Sequence, residues 1–221
     1  MHPWIAPLHG AFARHANPVD ALPMEAYMKG IAPFFGIKAP ARRAILKAHI
    51  AKLGPPPLGE LPAIVRSAFD CPQRELHQTA VDLLMRDAKR LGLEHLPLVE
   101  ELVTTKSWWD TVDGLAIHVA GAILKRHPEA RAEWCARWAA SDNRWLIRTA
   151  IIFQNRWKAD TDQSLLFANI ERLAAHEDFF IRKAIGWALR ELGATDPDAV
   201  RRFVARHRLS ALSVREALKH L

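Results

Sequence analysis

Apolar residues recur at intervals of three and four along most of this chain. One stripe is Leu76, Ala80, Leu83 and Leu84, a second is Val112, Leu115, Val119 and Ile123, and a third is Ile181, Ile185 and Leu189. This spacing places each stripe on one face of an α-helix. Alternating runs of β-branched residues that end in a hairpin turn are missing, so nothing favours strands. The sequence therefore predicts an all-α protein.

Good helix N-caps occur at nearly regular intervals. Asp70, Ser107, Asp142 and Asp178 each precede a long helical run, and they lie 37, 35 and 36 residues apart. Their side-chain oxygens can accept from a free backbone N–H of the first turn. Shorter helical pieces are predicted over residues 95–103, 129–139 and 163–174. A helix pair repeated about every 36 residues predicts a curved solenoid of helical repeats with a concave surface.

Length and composition indicate the number of domains, the charge of a partner and the cellular compartment. The 221 residues contain no linker longer than the stiff turn 54–57, so we expect a single domain over 1–221. The formal charge of +7 favours a polyanionic partner, although many soluble proteins are basic without one. Two separated cysteines form no metal-type cluster and fit a reduced compartment. With no signal-like N-terminus and no long apolar run, we expect a cytoplasmic protein that does not bind membranes.

One predicted helix combines a tryptophan with a carboxylate. Trp109 and Asp113 are four residues apart and share a helix face that differs from the apolar one. Breaking a purine–sugar bond builds positive charge on the sugar, which a carboxylate can stabilise while it orients the attacking water. An aromatic face can favour the same cation. The pair can equally be a packing residue beside a solvated acid.

The next two long helices add a cation and a second tryptophan. Arg148 lies 35 residues after Asp113, near the equivalent position one repeat later, and suits either a phosphate or a surface ion pair. Phe179, Lys183 and Trp187 form a line separate from the third apolar stripe. Gly186 beside Trp187 lowers helix propensity, which indicates close approach of a ligand or of another helix.

Four segments of the chain are unusual enough to carry a resemblance. They are residues 23–29, 104–113, 140–143 and 179–187. With them the chain resembles the AlkD-type alkylpurine DNA glycosylases, which are built of HEAT-like repeats around a concave basic cleft that binds DNA. The resemblance extends over nearly the whole chain and implies roles only at matching positions. It implies catalytic roles for Asp113, Trp109 and Trp187, and DNA contacts at Arg148, Tyr27, Arg190 and Arg156.

The resemblance also implies a reaction. We expect hydrolysis of the N-glycosidic bond of cationic N3- or N7-alkylated purines, such as 3-methyladenine and 7-methylguanine, in duplex DNA without base flipping. No metal or other cofactor, no strand-cleaving lyase step and no partner subunit are expected, so the enzyme would act as a monomer on alkylated double-stranded DNA. The alternative is a non-enzymatic basic scaffold of helical repeats that binds nucleic acid or protein.

Overall fold

The computed structural model describes every residue from Met1 to Leu221, and its regular structure is entirely helical. In chain order the helices are α1 (Ile5–Arg14), α2 (Pro18–Tyr27), α3 (Ala39–Leu53), α4 (Leu61–Asp70), α5 (Arg74–Asp87), α6 (Leu96–Thr104), α7 (Trp109–Gly114), a π-helical segment (Leu115–Ala120), α8 (Gly121–Arg126), α9 (Arg131–Ala139), α10 (Arg144–Ile152), α11 (Gln163–Leu173), α12 (Phe179–Gly193), α13 (Pro197–Arg206) and α14 (Ala211–Ala217). The all-α prediction is confirmed. The longest helices have 15 residues, and none is long and apolar enough to cross a bilayer.

The chain divides into two compact units. The first comprises residues 1–87 and 105–111, and the second comprises residues 88–104 and 112–221. In the first unit α4 packs on α5, and α1 packs on α3. In the second unit α10 packs on α9 and α12, and α12 packs on α14. The single domain over 1–221 stays a prediction, as do the curvature and the concave cleft.

The helical repeat has a regular spacing. The helices α5, α7, α10 and α12 begin at Arg74, Trp109, Arg144 and Phe179, so each begins 35 residues after the one before. The helices α6, α9 and α11 fall between them, as the sequence predicts. All three predicted apolar stripes are buried, and each of their residues is 0% exposed. The periodicity therefore identified the core faces correctly.

Helix capping agrees with the sequence at one start and differs at another. The side chain of Asp178 accepts from the backbone N–H groups of Phe180 and Ile181, so it caps α12 as predicted. The cap predicted at Asp142 is wrong, because Asn143 accepts from Trp145 N at 2.9 Å. Asn143 stands directly before α10, and its side-chain oxygen therefore reaches the free N–H two residues on.

A buried arginine organises the first unit. Arg74 is 0% exposed and donates to the carboxylate of Asp110, to the hydroxyl of Thr111 and to the backbone oxygen of Lys106. Lys106 in turn donates to the backbone oxygen of Cys71 at 2.9 Å. These bonds attach the beginning of α7 to α5, and a buried charge is tolerated here because it is paired and hydrogen-bonded.

The neighbouring His77 makes the stability of this region dependent on pH. His77 is 0% exposed, with Nδ1 3.3 Å from Arg74 Nη1 and Nε2 2.7 Å from the backbone oxygen of Cys71. Burial lowers the pKa of His77 to about 4. Below the unfolded pKa of about 6.5 the unfolded chain binds a proton that the native chain does not. We therefore expect His77 to cost about 3 kcal/mol of stability between pH 6.5 and 4.

Urea unfolding at several pH values checks this expectation. The His77→Gln variant should lose less unfolding free energy than wild type when the pH falls from 7 to 4.5. A pH dependence identical in the two proteins would show that His77 is not the titrating group.

The glycine beside Trp187 lies at a helix crossing. A Cβ built on Gly186 would come within 2.5 Å of Glu216 Cβ and 2.8 Å of Ser213 O, both on α14. Of the two explanations that the sequence left open, the structure supports close approach of another helix. Because backbone cannot move away cheaply, added volume here must displace α14.

We expect Gly186→Ala to destabilise the protein by about 1 to 3 kcal/mol through overpacking. Gly59→Ala is the matched control, since nothing lies within 4 Å of a Cβ at Gly59. Thermal unfolding of both variants compares the two sites. An unfolding temperature for Gly186→Ala equal to that of the control would contradict the tight crossing.

Candidate functional site

Asp113 and Arg148 form a bidentate ion pair in the second unit. Arg148 Nε donates to Asp113 Oδ1 at 2.7 Å, and Nη2 donates to Oδ2 at 2.8 Å. A third donor, Nη1, bonds the backbone oxygen of Phe180 at 2.9 Å. Arg148 therefore ties α10 to the end of α7 and to the first turn of α12. The sequence placed Asp113 and Arg148 at equivalent positions one repeat apart, and the structure shows that their side chains are in direct contact.

The pair is asymmetric in its exposure. The side chain of Arg148 is 7% exposed, whereas that of Asp113 is 19% exposed. An ionised carboxylate offers about four lone-pair sites, and the guanidinium occupies one on each oxygen. The carboxylate therefore keeps acceptor capacity on its accessible edge, while Arg148 fixes its orientation from the buried side.

Trp187 adjoins this pair from α12. The guanidinium carbon of Arg148 lies 5.8 Å from the centre of the indole ring, within the range of cation–π attraction. The indole Nε1 donates to Glu191 Oε1 at 3.2 Å. Trp187 is half-buried, whereas Phe179 on the same line of α12 is 58% exposed. The sequence prediction that this line lies outside the core is confirmed.

A π-helical segment directly follows the helix that carries Asp113. It covers Leu115–Ala120 and separates α7 from α8. Such interruptions of an α-helix occur often at functional sites, because they change the direction of the side chains around them. Within the segment, burial lowers the pKa of His118, and the positive charge of Arg156 lowers it further. The charge of Arg156 therefore acts on a residue of this segment.

The remaining predicted cations of the second unit differ in their surroundings. Arg190 Nη1 donates to the backbone oxygen of Glu216 at 2.9 Å and to its carboxylate at 3.0 Å. The same carboxylate bonds Lys183 at 3.0 Å, and these cations lower the pKa of Glu216. Arg156 is exposed and has a left-handed backbone with φ of 72°. It borders a recess of about 530 Å³ that Lys158 and Glu191 also line.

The predicted aromatic residues of the first unit lie together. Tyr27 is 71% exposed, and its ring meets Trp109 edge to face at a centroid distance of 6.2 Å. The two rings border a groove of about 490 Å³ with Met24, Met28 and Phe34. Along the chain, Trp109 stands four residues before Asp113 on α7. No group of three or more His, Cys, Asp or Glu side chains in the protein could hold a metal ion.

Comparison with known proteins identifies the family. The model of the family described as DNA alkylation repair enzyme matches residues 8–221. The chain belongs to the DNA alkylation repair enzyme family. This finding shows that the resemblance of the four segments reflects membership of a family that repairs alkylated DNA.

Solved structures agree with this assignment. The chain is similar to a predicted DNA alkylation repair enzyme from Enterococcus faecalis, with 33% identity and a TM-score of 0.87 over 93% of this chain and 96% of that one. It shares a fold with the smu.31 protein from Streptococcus mutans UA159, with 18% identity and a TM-score of 0.61 over 83% of this chain and 96% of that one. No curated protein matched the chain.

Sequence reasoning missed two acidic residues that contact the predicted site residues. Glu191 could have been found, because it stands one helical turn after Trp187. Glu216 lies 26 residues after Arg190 and carries no periodic signal, so only the packing of α14 on α12 reveals it. The proposed phosphate contact of Arg148 stays a prediction. Three of its five N–H donors are already used within the protein.

The ion pair predicts a difference between two arginines of α10. Arg148→Ala leaves the Asp113 carboxylate without its partner, so we expect the unfolding free energy to fall by about 3 kcal/mol. Arg144→Ala is the control, because Arg144 is 54% exposed in its pair with Asp178 and should contribute at most about 1 kcal/mol. Chemical denaturation measures both. Equal losses in the two variants would refute a structural role for the buried pair.

Proposed function

We propose that this protein is a monofunctional DNA glycosylase that hydrolyses the N-glycosidic bond of cationic N3- or N7-alkylated purines in duplex DNA. The observation that carries the proposal is the Asp113 carboxylate, fixed by Arg148 on one side and 19% exposed on the other. Family membership supports a substrate of alkylated DNA. The excess of cations, +7 in formal charge, favours a polyanionic partner.

The protein does not have to activate the alkylated base as a leaving group. A purine alkylated at N3 or N7 already carries positive charge. When the C1′–N bond breaks, the base takes the bonding electrons and leaves as a neutral molecule. The positive charge then passes to the deoxyribose. A carboxylate held in a fixed orientation stabilises that charge without reorganising during the reaction. Asp113 is assigned this role.

Water completes the reaction. Its oxygen bonds to C1′ as it loses a proton. The accessible edge of Asp113 can orient the water and accept that proton. We assign Trp187 to the sugar, since an aromatic face attracts a developing cation. Trp109 is assigned a second aromatic contact, with Tyr27 beside it. Arg148, Arg190 and Arg156 are assigned to backbone phosphates.

The proposed mechanism needs neither a flipped base nor a lysine nucleophile. Because the leaving group is activated by its own charge, no tailored pocket has to protonate it, in contrast with glycosylases that extrude the base. A lyase step would need an amine that forms a Schiff base with the sugar. We therefore propose hydrolysis of a stacked nucleotide by a monomer, with an abasic site as the product.

Base release from alkylated DNA tests the proposal. Incubation of methylated duplex DNA with the protein should release free 3-methyladenine and 7-methylguanine above the spontaneous rate and leave unbroken strands at abasic sites. A basic scaffold would bind methylated and undamaged duplexes alike and release nothing, an outcome that would refute the proposal.

The role of the carboxylate is tested by Asp113→Asn. This variant keeps the shape of the side chain but loses its charge, so excision should slow by a factor of about 100 or more while DNA binding is largely kept. Asp198→Asn, which changes an exposed acid paired only with Arg201 at 3.0 Å, should excise within about twofold of wild type. Equal rates for Asp113→Asn and wild type would remove Asp113 from the mechanism.

A further inference from the structure

We propose that Glu191 is a positioning residue that orients Trp187 and supplies negative charge to its indole ring. The inference rests on the proposed glycosylase function and adds a residue to it. The two side chains are four residues apart on α12, so they lie on the same helix face one turn apart.

The indole N–H has a single hydrogen-bond partner. Trp187 Nε1 donates to Glu191 Oε1 at 3.2 Å, and no other hydrogen bond or ion pair involves either side chain. An N–H that donates to an ionised acceptor forms a stronger bond than one that donates to a neutral acceptor. This bond selects one of the orientations that a half-buried tryptophan can otherwise adopt.

A second contact holds the ring from another direction. The guanidinium of Arg148 lies 5.8 Å from the ring centre and is itself bound to Asp113. Glu191 restrains the N–H edge, and Arg148 meets the ring face. The four side chains Asp113, Arg148, Trp187 and Glu191 therefore form one continuous set, so the angle of the indole is fixed relative to the carboxylate.

Glu191 also changes the charge near the ring. Hydrogen bonds in a protein polarise the groups that they join, so a carboxylate at the N–H raises the electron density of the indole. A more electron-rich ring attracts a cation more strongly. Glu191 lines the recess that Arg156 and Lys158 also border, and it forms no ion pair with either. Its charge therefore remains available to Trp187.

Contacts of this kind between helix neighbours contribute little to stability. A purely structural Glu191 would therefore be replaceable without any effect on the reaction. A positioning Glu191 affects the excision step, and its effect depends on the indole N–H being present. This dependence separates the two roles.

The experiment measures single-turnover excision from methylated duplex DNA with protein in excess, together with DNA affinity and unfolding temperature. Glu191→Leu should slow excision by about three- to tenfold, while affinity and unfolding temperature stay close to wild type. Glu191→Gln keeps an acceptor for the N–H but loses the negative charge, so its rate should lie between that of Glu191→Leu and that of wild type. The control Glu133→Leu replaces an exposed acid on α9 and should have no effect.

The decisive comparison uses Trp187→Phe, which lacks the N–H. In that background Glu191→Leu should cause no further loss of rate. An equal loss with and without the indole N–H, a wild-type rate for Glu191→Leu, or the same loss in Glu133→Leu would each overturn the inference. If wild type releases bases and Glu191→Leu does so equally fast, only this inference fails. If wild type releases none, the proposed function fails and this inference with it.

Discussion

The bidentate pair between Asp113 and Arg148 serves both the packing of the second unit and its proposed chemistry. Taking two charges out of water is costly, and the attraction between them offsets this cost only when the geometry is good and the other donors are satisfied. The geometry of this pair is good, since Arg148 makes two short bonds to the carboxylate, and a third N–H of Arg148 donates to Phe180 O. Through these bonds Arg148 joins α7, α10 and α12, and one edge of the carboxylate stays accessible.

Similar pairs connect neighbouring repeats elsewhere in each unit. In the first unit Arg42 bonds Asp82 at 2.7 Å, and Arg74 bonds Asp110. In the second unit Arg144 bonds Asp178 at 2.8 Å. The helices α5, α7, α10 and α12 begin 35 residues apart, which brings side chains separated by about one repeat opposite each other. The Asp113 pair is thus one example of a general device of this fold, and the contact of its arginine with the ring of Trp187 distinguishes it from the other pairs.

The sequence predicted the helices well because local rules determine them. The stripe from Leu76 to Leu84 and the cap at Asp178 depend on periodicity and on a side chain near its own backbone. The cap of α10 was misplaced by one residue, since Asp142 and Asn143 are both good caps and only the backbone decides between them. Local rules also gave no indication of the π-helical segment after Gly114.

The site was predictable as a set of residues and much less as a set of contacts. Spacing placed Arg148 one repeat after Asp113 but left open whether it faces a phosphate or a carboxylate, because that depends on side-chain direction across two helices. Resemblance named Asp113, Trp109 and Trp187, whereas Glu191 and Glu216 became visible only through their partners Trp187 and Arg190. Tertiary contacts, which the periodicity does not encode, supplied the missing part.

The central claim is that Asp113 and Arg148 act as one unit in excision. The most direct measurement is the single-turnover excision rate of Asp113→Asn, of Arg148→Gln and of the double variant on methylated duplex DNA at saturating protein. If the two residues act together, the double variant is no slower than Asp113→Asn alone. Losses that multiply in the double variant would contradict the account, because they would mean that Arg148 affects the excision step by a route other than orienting Asp113.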